Sequence, residues 1–176
     1  MSQDKYLGAM NQGCIYCIGR CKPGFQPVVV MNMLKFTQLN ADLDEQANIA
    51  FFFFDWVMNN MLSPGHVESW LIIMDYDGIA LKDLPVKKLQ SFVGAMQRNF
   101  RGRMFRNIVL NTHWVLQGLW NMVWGWLDPF VQQKITVCKA ADMKSTLTQY
   151  VDESVLEEKY GGTRPNMSGQ LFPPRY

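Results

Sequence analysis

Three cysteines stand close together near the start of the chain, and the spacing Cys14-x-x-Cys17-x-x-x-Cys21 invites a metal ion. Zinc needs four ligands, and no His or fourth Cys follows at finger spacing; Cys138, His66 and His113 are all distant. Small buried thiols are the better reading, and no metal is expected. Asp75 and Asp77 have the separation of a carboxylate pair, yet the run Asp75-Tyr76-Asp77-Gly78 reads as the turn that ends a strand. His113 directly follows an apolar strand run, where α/β proteins often hold ligands, but no Gly-x-Ser-x-Gly elbow or Cys/His pairing accompanies it. Gly161-Gly162 lacks the downstream lysine and the strand-to-helix context of a phosphate loop. The basic group Arg98, Arg101, Arg103 and Arg106 can grip phosphate bidentately. It can equally stand solvated at a helix end, where cations complement the dipole. With no nucleophile, metal or cofactor signature, the chain is expected to be no enzyme and to need no cofactor.

The composition narrows the class. Of 176 residues, 48% are apolar and 18% charged, which excludes a disordered chain, and the length suits one domain with one sizeable core. Seventeen Lys and Arg against fifteen Asp and Glu leave a net charge of only +2, which argues against nucleic acid as a partner. An aromatic content of 13% and twelve methionines point towards apolar or membrane-proximal ligands. No apolar signal segment precedes the cysteines, and the first residues carry Asp4 but no arginine. An intracellular, reducing compartment is therefore expected rather than secretion. No membrane-spanning stretch is read: Phe51–Phe54 stops at Asp55, and the tryptophan-rich region is broken by Gln117, Asn121 and Asp128.

These residues need elements to position them. Residues 1–18 read as an irregular lead-in, rich in Gly and Cys and followed by the Pro-containing stretch to Pro27. Val28–Leu34 is a β-branched run of strand character, and residues 40–62 repeat apolar side chains at helical spacing up to Ser63-Pro64-Gly65. Trp70–Met74 is apolar on both faces, as a central parallel strand requires. Pro85 suits the first turn of a helix carrying Leu89, Phe92, Val93, Met96 and Phe100. Ile108–Leu110 is the next strand, a helix runs from about His113 to Trp126, and Ile135–Cys138 makes the last strand. Asp142 can cap a short helix over 143–150, and residues 163–176 read as an extended Pro/Gly-rich tail. Strand–helix–strand alternation implies an α/β fold with a mostly parallel sheet.

The residues at the joints carry a resemblance. Gly19-Arg20-Cys21-Lys22-Pro23-Gly24-Phe25-Gln26-Pro27 before a valine strand resembles the "GRDKxGRPV" opening of CRAL-TRIO domains of the yeast phosphatidylinositol-transfer type. Met74–Ile79 is similar to the family's "xDxxG" strand end, and Phe100-Arg101-Gly102-Arg103-Met104 with Ile108–Asn111 to its "YPERM…xxxN". Trp126-Leu127-Asp128-Pro129 with Lys134-Ile135 resembles "FLDPxTxxKI", and Leu156–Gly162 resembles "LPxxYGG". The order holds across residues 19–162.

The resemblance implies a sheet that floors a hydrophobic cavity, with helices behind it and a gate helix in front, holding a lipid without chemical change and passing it between membranes. On that basis the cavity and gate would be formed by Trp70, Ile72, Met74, Leu110, Trp114, Leu119, Trp120, Val123, Trp124 and Leu127. Headgroup or membrane contact would fall to Arg101, Arg103 and Lys134. Tryptophan favours the membrane–water boundary, and Gly118 and Gly125 would let the gate bend. The same aromatic stripe also suits a well-packed helix in a Trp-rich core.

Two departures qualify what is carried over. Only a short segment precedes the first motif, where the family has a helical bundle, so a face of the domain would be left open for a partner chain. Gly102 and Arg101 stand where phosphatidylinositol-binding members have Glu and Pro, and Trp70 and Ile72 where phospholipid binders tend to have hydroxyl residues. Buried phosphate must be paired or hydrogen-bonded, so a less polar lipid, or a space filled by bulky side chains, is expected in place of phosphoinositide. The alternative function is an accessory subunit of a membrane-associated assembly, at a cytoplasmic or organelle membrane face, meeting other subunits through that open face and the C-terminal tail.

Overall fold

The apolar runs assemble into one five-stranded sheet. The computed structural model describes residues 3–80, 86–112 and 114–174, without the side chains of 3–5, 86–88 and 114–117. Strand β1 (Ile15–Arg20) runs antiparallel to β2 (Pro27–Asn32); β3 (Trp70–Asp75), β4 (Met104–Leu110) and β5 (Ile135–Val137) then add in parallel, in chain order. Parallel neighbours need crossovers. Helices α2 (Met33–Thr37) and α3 (Leu43–Met61) link β2 to β3, α4 (Val86–Asn99) links β3 to β4, and α5 (Trp114–Trp124) with α6 (Pro129–Gln132) links β4 to β5. The chain closes with α7 (Met143–Leu147) and a 3₁₀ turn at Glu158–Tyr160.

Strand alternation sorts the side chains into two cores. Cys17, Val29, Met31, Trp70 and Ile72 point to the front, where α3 packs with Phe53, Phe54 and Val57. Ile18, Val28, Val30, Leu71, Ile73, Ile108 and Leu110 point to the back, against Leu147, Val151, Leu156 and Tyr160. Covered on both faces, β2 and β3 must be continuously apolar, as the sequence implies. Cys17 and Cys21 lie in cores on opposite faces of the sheet, so the cysteine cluster does not converge on a metal. No disulfide joins the four cysteines, all of which are buried.

Caps account for where the helices start. The Asp42 carboxylate accepts from the Asp44 and Glu45 amides at 3.0 and 2.9 Å, so α3 begins one turn later than its composition suggests. Asp128 accepts from Phe130 N at 2.8 Å and Pro129 occupies the first turn of α6, as the Asp-Pro pair implies. Asp142 makes no side-chain cap, because a 3₁₀ turn over Ala140–Asp142 already leads the chain into α7. Pro85 and His113 lie outside the described residues.

Both ends of the chain differ from expectation. Residues 3–18 are not an irregular lead-in: α1 (Gln3–Asn11) and the start of β1 occupy most of them, and Cys14, Ile15, Tyr16, Cys17 and Ile18 are all buried. Glycine and cysteine content masks a strand that is covered on both faces. Nor are residues 163–174 a free arm. Leu171 and Phe172 are buried, and their amides both donate to Asn11 Oδ1 at 2.9 Å. The Phe172 ring lies 5.0 Å from that of Trp56 on α3, and Arg164 donates to the Ile18 carbonyl.

Candidate functional site

The C-terminal ends of the parallel strands are tied together by one buried carboxylate. Asp75, at the end of β3, accepts from Asn111 Nδ2 at 2.8 Å, from the Tyr160 hydroxyl at 2.9 Å and from Asp77 N at 3.0 Å. Residues from three of the sequence motifs therefore meet at one point, and Asp75 is a junction rather than half of a catalytic pair. Burial, with the nearby Tyr16 and Asp75, pushes the Tyr160 phenol well up, so it stays neutral and keeps donating. Tyr16, likewise raised by burial and by Glu157, donates to Glu157 Oε2 at 2.8 Å, and Lys159 donates to Tyr16 at 2.8 Å. This network anchors the segment after α7 to the back of the sheet.

In front of the sheet the packing leaves a cavity of about 1440 Å³. Small-molecule pockets run to roughly 300–1,000 Å³, so this one suits a larger guest. Its floor is Met31, Trp70, Ile72, Met74 and Asn107, on alternate positions of β2, β3 and β4. Phe51 of α3 and Phe92 and Met96 of α4 form a wall, and Leu119, Trp120 and Val123 of α5 face them. A cluster in which Trp70 stacks on Phe54 at 4.8 Å and meets Phe100 at 5.7 Å fills part of the space but does not close it.

Helix α5 follows from spacing. Leu119 and Val123, four residues apart, are buried and share one face, where they pack with Tyr76, Ile79 and Val109. Trp120 meets Tyr76 edge-on at 5.9 Å. Two glutamines hold the C-terminal end. Gln97 of α4 donates to Trp126 O at 3.2 Å and accepts from Asp128 N at 2.9 Å. Gln132 of α6 donates to Trp124 O at 2.8 Å and to Leu127 O at 3.2 Å.

Of the residues expected at the cavity, Trp70, Ile72, Met74, Leu119, Trp120, Val123 and Leu127 line it. Leu110 does not. It shares the phase of Ile108 on β4 and so enters the back core, while Asn107 and Val109 take the front. Trp124 is turned to solvent on the outer side of α5, 37% exposed, because the Leu119–Val123 face meets the sheet. The backbone of Trp114 begins α5, but its side chain lies outside the described residues.

The basic group divides in the same way. Arg98 and Arg101 are exposed at the cavity rim. Arg103 is drawn off to the Glu68 carbonyl at 3.1 Å and Arg106 to the Gln133 carbonyl at 3.2 Å. Lys134 lies at the rim, its ammonium 2.8 Å from the Met104 carbonyl and 4.4 Å from the centre of the Phe130 ring. Gly102 takes a positive φ of 78° in the turn from α4 to β4, a conformation that suits glycine and not glutamate.

Tyr76, Gln97 and Asn107 are among the cavity residues that the sequence reading did not place there. Tyr76 reads in the sequence only as part of a turn, and Gln97 carries no reading there. Asn107 was readable in principle, as a polar residue at the phase of Val109 within an apolar strand.

Comparison with known proteins agrees with the geometry. The family model described as CRAL/TRIO domain matches residues 10–162. A CRAL-TRIO domain-containing protein of Schizosaccharomyces pombe is 24% identical over 113 residues, which are 62% of this chain and 24% of that protein. Protein real-time of Drosophila melanogaster is 27% identical over 114 residues, 61% of this chain and 17% of its own length. The chain thus spans a quarter or less of these curated relatives. The crystal structure of Sfh5 superposes with a TM-score of 0.70 at 13% identity, covering 94% of this chain and 64% of that one.

Proposed function

Because this chain belongs to the CRAL/TRIO domain family of lipid-binding domains, we propose that its cavity holds a hydrophobic lipid, non-enzymatically, and exchanges it with a membrane. The observation that carries this reading is the apolar space of about 1440 Å³ between the sheet and α3, α4 and α5. A lipid tail in water costs about 0.8 kcal/mol per CH₂, and only a large apolar lining offsets that. Trp70, Ile72, Met74, Leu119, Trp120, Val123 and Leu127 supply the lining, and α5 is the element that moves to admit the guest.

The surface beside the cavity supports docking on a membrane. Met122, Trp124 and Phe130 are 48%, 37% and 62% exposed around α5 and α6. Arg98, Arg101 and Lys134 border the same opening, and each basic residue near an anionic membrane contributes roughly 1 kcal/mol. Among the described residues no helix is long and apolar enough to cross a membrane, so contact would be peripheral. The C-terminal segment, read as one contact for other subunits, is instead held by its own chain at Leu171 and Phe172.

Native mass spectrometry of the purified chain tests the proposal. One lipid per chain, and uptake of a pyrene-labelled lipid from donor vesicles, are the expected results. A chain that carries nothing and takes up no labelled lipid would overturn carriage.

A further inference from the structure

Phe25 projects from the turn between β1 and β2. It is 67% exposed, the highest value among the large apolar side chains described. Its φ of 55° is left-handed, a conformation uncommon for a bulky residue. The turn is held firmly all the same. Cys21 N donates to Gln26 O at 2.9 Å and Lys22 N to Tyr150 O at 2.8 Å. The Arg20 guanidinium donates to the Phe25 carbonyl at 2.8 Å and to the Met61 carbonyl, at the end of α3, at 3.1 Å. A fixed backbone therefore presents a phenyl ring mostly to water.

The topology sets Phe25 at the same end of the sheet as the exposed side chains after α5. Strands β2 to β5 are parallel; Val28 pairs with Leu71 and Leu71 with Arg106, while Asn107 pairs with Ile135. The residues that lead into these strands hence share one end. Phe25 precedes β2 and Phe130 precedes β5, with about 14 Å of sheet between the two strands at roughly 4.8 Å per step. Trp124 is drawn to this end as well, because Gln132 donates to its carbonyl at 2.8 Å. Arg98 and Arg101 lead into β4, between the two aromatics, and Lys134 leads into β5. Of the acids here, Glu68 accepts from Gly65 N and Asp128 from Phe130 N, and Lys22 on the turn is offset by Asp152.

A protein partner asks for a contiguous, well-packed apolar centre. Here single rings project with cations between them. A bilayer asks only for protruding apolar groups at one level, with basic residues set for its anionic headgroups. Resting on the membrane-exchange reading, we infer that the β1–β2 turn is a second, rigid membrane anchor. The domain meets an anionic bilayer end-on, with Phe25 at one side of the footprint and Phe130 and Trp124 at the other. Because the turn is already fixed, insertion orders little chain and costs little entropy.

The test uses the intact chain and vesicles of dioleoylphosphatidylcholine with about one third dioleoylphosphatidylserine. Phe25→Asn removes the ring and suits the left-handed backbone, so the variant should melt no lower than the parent. Its vesicle partition coefficient should fall about tenfold, as for one phenyl group withdrawn from the bilayer. Combined with Phe130→Ser, the losses should multiply, since both rings enter one membrane. Phe25→Cys labelled with the dye NBD should brighten on these vesicles. Asn40→Cys labelled likewise, exposed beyond β2 at the opposite end of the sheet, should not; the four native cysteines are buried away from the label.

An unchanged partition coefficient for Phe25→Asn, or a label at position 25 that does not respond to vesicles, would overturn the anchor and leave lipid carriage standing. So would a parent that sediments as a dimer and loses the dimer in Phe25→Asn, which would give the turn to a second copy of the chain. Uptake of pyrene-labelled lipid is read separately. A parent that binds vesicles through Phe25 yet takes up no lipid would strike the carrier reading and uphold the anchor.

Discussion

Asp75 shows how much one buried side chain can organise. It joins the end of β3 to Asn111 after β4 and to Tyr160 on the back of the sheet through hydrogen bonds of 2.8 and 2.9 Å, and accepts a third from Asp77 N at 3.0 Å. Asn111 adopts a left-handed φ of 57° there, a conformation that asparagine tolerates better than most residues. Removing one donor leaves a buried carboxylate oxygen with less to hold it. Tyr160→Phe should therefore cost about 1–3 kcal/mol, read as a lower urea midpoint with an unchanged slope. An unshifted midpoint would show that the junction is not a source of stability. At the same scale, Asn107 Oδ1 and the indole Nε1 atoms of Trp70 and Trp120 present the opposite case: buried polar atoms with no hydrogen-bond partner in the protein.

Helix α5 is the element on which exchange depends. Its inner face is spread over Leu119, Trp120 and Val123, its outer face is open, and its C-terminal end is clamped by Gln97 and Gln132. Both glutamine clamps act at that C-terminal end. Gly118 weakens it, and nothing lies within 4 Å of where a Cβ would stand, so the glycine is not required for packing. Gly118→Ala should raise stability by up to about 1 kcal/mol through helix propensity. If α5 has to bend or fray to admit the guest, the same change slows transfer of pyrene-labelled lipid between vesicles without altering the amount bound. Faster transfer, or an unchanged rate in a stabilised protein, would exclude that route.

The whole molecule buries groups that ionise in alkali. Burial pushes the thiols of Cys14 and Cys21 up to about 12 from an ordinary 9.0, and the phenols of Tyr16, Tyr76 and Tyr160 rise as well. Below pH 9 folded and unfolded chains both keep these protons, so stability does not depend on them. Above pH 9 the unfolded chain releases thiol protons that the folded chain holds, and above pH 10 phenol protons follow. The unfolded state then binds fewer protons, and stability falls as pH rises. Urea midpoints should be flat from pH 7 to 8.5 and decline between pH 9 and 11. A midpoint that held or rose across that interval would contradict the burial of these side chains.

Strands β2 to β4, helices α3 and α4 and the Asp-Pro start of α6 were legible because each is a local pattern: β-branched runs, apolar spacing of three and four, and a cap residue ahead of proline; Met33 and Leu34, read into the strand, instead begin α2. The order of the motifs along the chain likewise carried the family. Other features depend on partners distant in sequence. The strand in Ile15–Arg20 needs Val28–Met31 alongside, and the burial of Phe172 needs Asn11 and Trp56. Periodicity puts Leu110 and Ile108 on one side of β4 and Asn107 and Val109 on the other, but it carries no label for which side is hollow. Residue types and their phases are properties of the chain alone, and they determined an α/β lipid-binding domain. That α5 stands off the sheet far enough to leave a cavity, and that Asn107 rather than Leu110 faces it, only the packing of distant segments decided.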